Sequence, residues 1–160
     1  MCSFKMKYIV SEIHNLLIKG RKTLAIAESC TGGLVSSLIT QNPGSSRYFI
    51  LGVVVYSNKA KETILKIPQS VIARYGAVSK NVASLMAKSV RKIAKTDFGI
   101  GITGIAGPTG GTQKKPVGTV FIAVDSKNKG LSKKFLFKGN RNTIRKKAAL
   151  KSLELLKEAL

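Results

Sequence analysis

Three short segments hold the residue types from which chemistry could be built. The first, Ser29-Cys30-Thr31-Gly32-Gly33, places two hydroxyls and a thiol before paired glycines. Gly32 and Gly33 let backbone approach a ligand, and if a helix starts there its amides favour an anion by about 0.3–1 kcal/mol per interaction. Ser29 or Thr31 could then supply a nucleophilic oxygen, although both could equally cap the helix or satisfy the loop backbone. The second segment, Tyr56 to Lys61, offers a base. A nucleophilic serine needs one, and the single histidine, His14, has no Cys, Asp or Ser partner near it in sequence, which leaves lysine, as in serine–lysine arrangements. Lys61 is the candidate: it falls in the first turn of an expected helix, where the macrodipole disfavours a cation, in a chain of net charge +21. An exposed helical lysine is the competing reading. The third segment, Thr103 to Gly111, contains Gly104-Ile105-Ala106-Gly107, which could cradle phosphate but is neither a Walker A loop nor a GxGxxG fingerprint. Pro108 and its flanking glycines would serve a simple turn equally well. Two cysteines, Cys2 and Cys30, are too few for a disulfide framework or a zinc site, so no metal is expected.

The surrounding pattern shows what must position these segments. An amphipathic helix with Ile9, Val10, Ile13, Leu16 and Leu17 on one face stops at Gly20. Thr23 to Ala27 reads as a buried strand that runs into the Ser29 loop, after which Leu34, Val35, Leu38 and Ile39 recur at helical spacing until Asn42-Pro43-Gly44. Phe49 to Tyr56 is a β-branched, apolar run that predicts a central strand. Ser57-Asn58 cap a helix over Lys59 to Lys66, and Pro68 opens a short one. Val82, Leu85, Met86, Val90 and Ile93 form one stripe of a helix from about Ser79 to Lys95. Phe98 to Ile102 is a strand feeding the third segment. Gly118 to Val124 and Leu131 to Phe137 are strands joined by a polar, hairpin-like connection, and a last helix from about Asn142 carries Ala149, Leu153, Leu156 and Leu160 on one face. Helices alternate with strands before a hairpin, which predicts a three-layer α/β/α sandwich around a mixed sheet. In such folds ligands sit beyond the carboxyl ends of the strands, where all three segments emerge.

At 160 residues the chain is expected to form a single domain over 1–160, with an interior of Ile, Leu, Val and Ala because only 6% of residues are aromatic. The first twenty residues include Lys5, Lys7, Glu12 and His14, so no signal-peptide core is expected, nor any membrane span; the expectation is a cytoplasmic protein without membrane partners. A net charge of +21 draws anions to the surface. Yet the basic residues are spread from Lys5 to Lys157 and are not interleaved with exposed aromatics, so a specific nucleic-acid partner is not expected. Self-association is left open.

Taken in order, Ala27-Glu28-Ser29-Cys30-Thr31-Gly32-Gly33, Tyr56-Ser57-Asn58 with Lys61, Gly76-Ala77-Val78-Ser79, Thr103-Gly104-Ile105-Ala106-Gly107-Pro108 and Lys115-Pro116-Val117-Gly118-Thr119-Val120 closely resemble the CinA C-terminal domain family. The resemblance covers nearly the whole chain. It implies hydrolysis of the carboxamide of nicotinamide mononucleotide, a small anionic nucleotide, to nicotinate mononucleotide and ammonia, with no cofactor. It further implies Ser29 as nucleophile, Lys61 as its base, Tyr56 and Thr103 as polar groups orienting the reacting atoms, and amides near Gly32, Gly33 or Gly104 holding the oxyanion. Arg141 or Arg145 would meet the phosphate. Asn140 departs from the acidic residue expected before the first arginine. Long members carry a further N-terminal domain, so the resemblance is to a stand-alone form. Three rivals remain on this reading: a basic nucleic-acid-binding module linked to DNA uptake, a domain that binds a pyridine nucleotide without turning it over, and Cys30 as the nucleophile.

Overall fold

The computed structural model describes residues 2–160. Five strands, β1 (Leu24–Glu28), β2 (Phe49–Val54), β3 (Phe98–Gly104), β4 (Thr119–Ser126) and β5 (Gly130–Leu136), form one sheet in the order β2-β1-β3-β4-β5. β1 is parallel to both β2 and β3, while β4 and β5 are antiparallel additions on the far edge. Among the described residues six α-helices flank the sheet: α1 (Cys2–Gly20), α2 (Leu34–Ile39), α3 (Asn58–Leu65), α4 (Gln69–Tyr75), α5 (Lys80–Ala94) and α6 (Arg141–Ala159). The three-layer α/β/α sandwich around a mixed sheet is therefore what the molecule adopts.

β1 is buried on both faces, and its alternation divides the core. Leu24 and Ile26 join residues of α1, α2 and α6, whereas Ala25 and Ala27 join residues of α3 to α5 on the other side. The small β1 residues face a helix layer that sits very close to the sheet. On β3, a Cβ at Gly99 or Gly101 would collide with the backbone carbonyls of Ala87 and Ala83, so both glycines are required for α5 to lie where it does.

From β1 the chain passes to β2 on one side and later to β3 on the other, which makes the crevice beyond the carboxyl ends of β1 and β3 the topological switch point where such sheets bind ligands. Ser29 follows the last residue of β1, and Thr103 is the penultimate residue of β3.

Element boundaries moved in instructive places. β2 ends at Val54 rather than Tyr56, because β1 ends at Glu28 and the Val55 N–H bond to Glu28 O is the last one that strand offers. α2 stops at Ile39, and a 3-10 turn at Ser45–Arg47 follows that the sequence pattern did not predict. Pro68 is the cap of α4 rather than its first residue, and Ser79 caps α5 by accepting from the Val82 N–H. Asn140 accepts from the Thr143 N–H and so caps α6, a task an acidic residue would also perform. His14 Nδ1 lies 3.2 Å from the hydroxyl of the buried Tyr48, a structural contact remote from the Ser29 loop. Among the described residues no helix is long and apolar enough to cross a membrane.

Candidate active site

The β1–α2 loop is held by backbone bonds at each end. The Ser29 N–H donates to Ile102 O on β3, the Gly32 N–H to Ser29 O and the Leu34 N–H to Thr31 O. Gly32 and Gly33 take φ values of +59° and +92°, the left-handed region in which glycine carries no Cβ penalty. Ser29 is thereby presented at the floor of a cleft of about 250 Å³, with its hydroxyl facing the amine of Lys61.

Lys61 is the decisive residue. It is 1% exposed, and its Nζ lies 3.1 Å from Ser29 Oγ, 2.9 Å from Val55 O and 3.1 Å from Tyr56 O. An ammonium has three donors and would give one to each neighbour. The neutral amine has two, which suit the two carbonyls and leave the lone pair aimed at the serine hydroxyl. Burial lowers the Lys61 pKa from its ordinary value of 10.5, opposed by the nearby Cys30. The cause is thus desolvation rather than the helix start or the general positive charge expected from the sequence. The surface-lysine reading is excluded by the burial.

Thr103 Oγ1 donates to Ala77 O, which joins the end of β3 to the segment before α5. Tyr56 contributes differently from expectation: its backbone carbonyl holds Lys61, while its exposed side chain stands at the rim and its hydroxyl accepts from Arg141 Nη2 at 2.8 Å. Arg141 Nη1 donates to Gly107 O at 2.7 Å, so this one guanidinium spans the mouth from the glycine-rich loop to Tyr56. Ser29, Tyr56, Lys61, Thr103, Gly104 and Arg141 all line the cleft.

Four expected residues do not. Thr31 is fully buried outside the cleft, with its hydroxyl unpartnered among the described residues, so it is no nucleophile. Gly32 and Gly33 shape the loop without lining the cleft, and their N–H groups are already given to Ser29 O and Glu28 Oε2. Neither is free for an oxyanion. Arg145 Nη2 donates to Thr31 O at 2.7 Å, which makes it a brace on the back of the loop instead of a wall of the cleft. Cys30 touches the cleft but is buried, and burial pushes its thiol up to about 12, which leaves almost no thiolate near neutrality.

One residue of the Ala27–Gly33 motif has a role that its sequence position does not reveal. Glu28 is fully buried, and its carboxylate accepts from the Gly33, Val35 and Ser36 N–H groups and from Ser36 Oγ. The available signal was an acid at a strand end just before a helix whose own cap position, Gly33, has no side chain. Among the described residues no group of three or more His, Cys, Asp or Glu could hold a metal ion.

Residues 6–160 match the model of the CinA C-terminal domain. The chain belongs to the CinA C-terminal domain family. A CinA-like protein from Thermotoga neapolitana is 47% identical over 145 residues, covering 91% of this chain and 35% of that relative, so the chain spans about a third of the length of the curated relatives it matches. Among solved structures, the competence/damage inducible protein CihA from Agrobacterium tumefaciens superposes with a TM-score of 0.94 at 32% identity, covering 96% of this chain and 94% of that one. A CinA superfamily protein from Escherichia coli gives a TM-score of 0.93 at 33% identity, covering 97% and 90% of the two chains. The CinA fold is thus shared over essentially the whole of the described chain.

Proposed function

We propose that this chain is an amidase that deamidates nicotinamide mononucleotide to nicotinate mononucleotide and ammonia through Ser29 and Lys61. The observation that carries the reading is the buried Lys61 amine 3.1 Å from the Ser29 hydroxyl and bonded to two carbonyls; in the neutral form its two N–H groups serve those carbonyls and its lone pair can take the serine proton. Lys61 Nζ takes the Ser29 Oγ proton as Oγ bonds to the carboxamide carbon. The tetrahedral adduct collapses with cleavage of the C–N bond, and the Lys61 ammonium returns that proton to the departing nitrogen, giving ammonia. Water then attacks the Ser29 ester, passes a proton to Lys61 and thence to Ser29 Oγ, and releases the carboxylate. The Gly32 and Gly33 N–H groups are spent on Ser29 O and Glu28 Oε2, so neither is left to hold the developing oxyanion. Arg141 at the mouth supplies a bidentate cation suited to a phosphate.

The test is ammonia release from nicotinamide mononucleotide by the purified protein in the presence of a chelator, with Ser29→Ala and Cys30→Ala alongside. Release that Ser29→Ala abolishes and Cys30→Ala spares supports the reading. Release that survives in Ser29→Ala and disappears in Cys30→Ala overturns the assignment of the nucleophile.

A further inference from the structure

We infer that Glu28 is the positioning residue of the Ser29–Lys61 pair, acting through the loop without touching the substrate. The inference rests on the amidase reading for its substrate but not for its geometry. α2 has no side-chain cap of its own, and its first turn would expose unsatisfied amides inside the protein. Glu28 supplies the cap from the strand before it, with bonds of 3.0 and 3.1 Å from Gly33 and Val35 N–H to Oε2 and of 2.9 and 2.7 Å from Ser36 N–H and Oγ to Oε1. A carboxylate offers about four lone-pair sites, and all four are used. The loop that bears Ser29 therefore leaves Glu28 and returns to the same side chain at Gly33. Residues 29–32 are clamped between those two points.

The backbone of Glu28 reaches the other half of the pair. Its carbonyl accepts the Val55 N–H, and the Val55 carbonyl in turn accepts from Lys61 Nζ at 2.9 Å. One residue thus fixes the nucleophile through its side chain and the base through its main chain. Glu28 is absent from the lining of the cleft, so its loss should alter the approach of Ser29 to Lys61 and leave substrate binding nearly unchanged. Misplacing reacting groups by about 1 Å can cost on the order of 10²-fold in rate.

The experiment compares wild type, Glu28→Gln and Ser36→Ala in turnover of nicotinamide mononucleotide and in the rate at which a small fluorophosphonate labels Ser29. Glutamine keeps the shape, but its amide oxygen can serve only about two of the four donors. Expected for Glu28→Gln is a kcat about 10–100-fold lower with KM within about twofold, and a labelling rate reduced by a similar factor. Ser36→Ala removes a single bond to the carboxylate and should lower kcat and labelling by about 2–10-fold, which decides the matter if Glu28→Gln fails to fold. A lower melting temperature with kcat and labelling unchanged in the folded variants would make Glu28 merely structural and overturn the inference, as would a loss confined to KM. If wild type does not deamidate the mononucleotide, yet labelling of Ser29 still falls in these variants, the substrate assignment fails and the positioning role stands.

Discussion

Replacing Lys61 by methionine tests the buried amine through two independent readouts. Methionine nearly fills the same space but cannot take a proton or bond to Val55 O and Tyr56 O. For catalysis, loss of a positioned general base should lower turnover by roughly 10²–10⁴-fold. For stability, burial holds the folded-state pKa below the unfolded value of 10.5. Between those two values the unfolded chain binds more protons than the folded one, so wild-type stability rises with pH across that window and is penalised below it. The slope from one such group is at most about 1.4 kcal/mol per pH unit. Methionine removes this rise but leaves two carbonyls without their donor, a cost of about 1–3 kcal/mol at each that is independent of pH. Urea unfolding followed from pH 6 to 10.5 should therefore show wild type gaining on Lys61→Met as pH increases. In wild type, kcat should also climb with pH through the same lowered pKa, since the neutral amine is the active form. Parallel stability curves across that range would mean that Lys61 titrates as an ordinary exposed lysine, and the argument from burial would fail.

Arg141→Ala should weaken kcat/KM on nicotinamide mononucleotide by roughly 10–150-fold, as expected for a lost charge-assisted contact, while nicotinamide riboside, which lacks the phosphate, suffers little further; equal losses on both would remove Arg141 from the phosphate. Arg145→Ala should cost activity on both compounds alike, because its guanidinium braces Thr31 O; a loss confined to the mononucleotide would restore it as the anion contact. Gly101→Ala should destabilise the fold by about 1–3 kcal/mol or more, read as a lower urea midpoint, since its Cβ meets the Ala83 carbonyl; an unchanged midpoint would show that α5 can move away. DNA binding driven by the net charge of +21 should be non-specific and vanish as salt rises; sequence-selective binding at physiological salt would contradict this.

Much of the fold was written in local patterns. The apolar run before Ser29, the glycine pair and the helical spacing from Leu34 identified a strand, loop and helix, because each has a period or a conformational need visible over a few residues. The placement of Ser29, Lys61 and Thr103 around one cleft followed from the rule that open α/β sheets use their carboxyl ends, whereas Arg141 came only from the family resemblance. What stayed hidden depends on contacts distant in sequence or on direction. Lys61 sits in a polar stretch, Asn58-Lys59-Ala60-Lys61-Glu62, whose composition suggests a wet helix; only the packing of α3 against α5 and the loops after β1 and β2 buries it. Arg141 and Arg145 occupy successive turns of α6, yet one reaches Gly107 and the other Thr31. Glu28 was missed because a buried carboxylate is rare unless paired, and its partners are amides five to eight residues onward. Gly32 and Gly33 were read as ligand-facing because a glycine pair before a helix often is, but here their amides are used by the loop itself.

The central claim is that Ser29 becomes acylated with Lys61 as its base. The most direct measurement is rapid quenching during turnover of nicotinamide mononucleotide, followed by peptide mass mapping of the enzyme. The account predicts a transient adduct on the peptide bearing Ser29, confined to Ser29 by fragmentation, absent in Ser29→Ala and formed at least about 10²-fold more slowly in Lys61→Met. An adduct on Cys30, or undiminished turnover by Ser29→Ala, would contradict it.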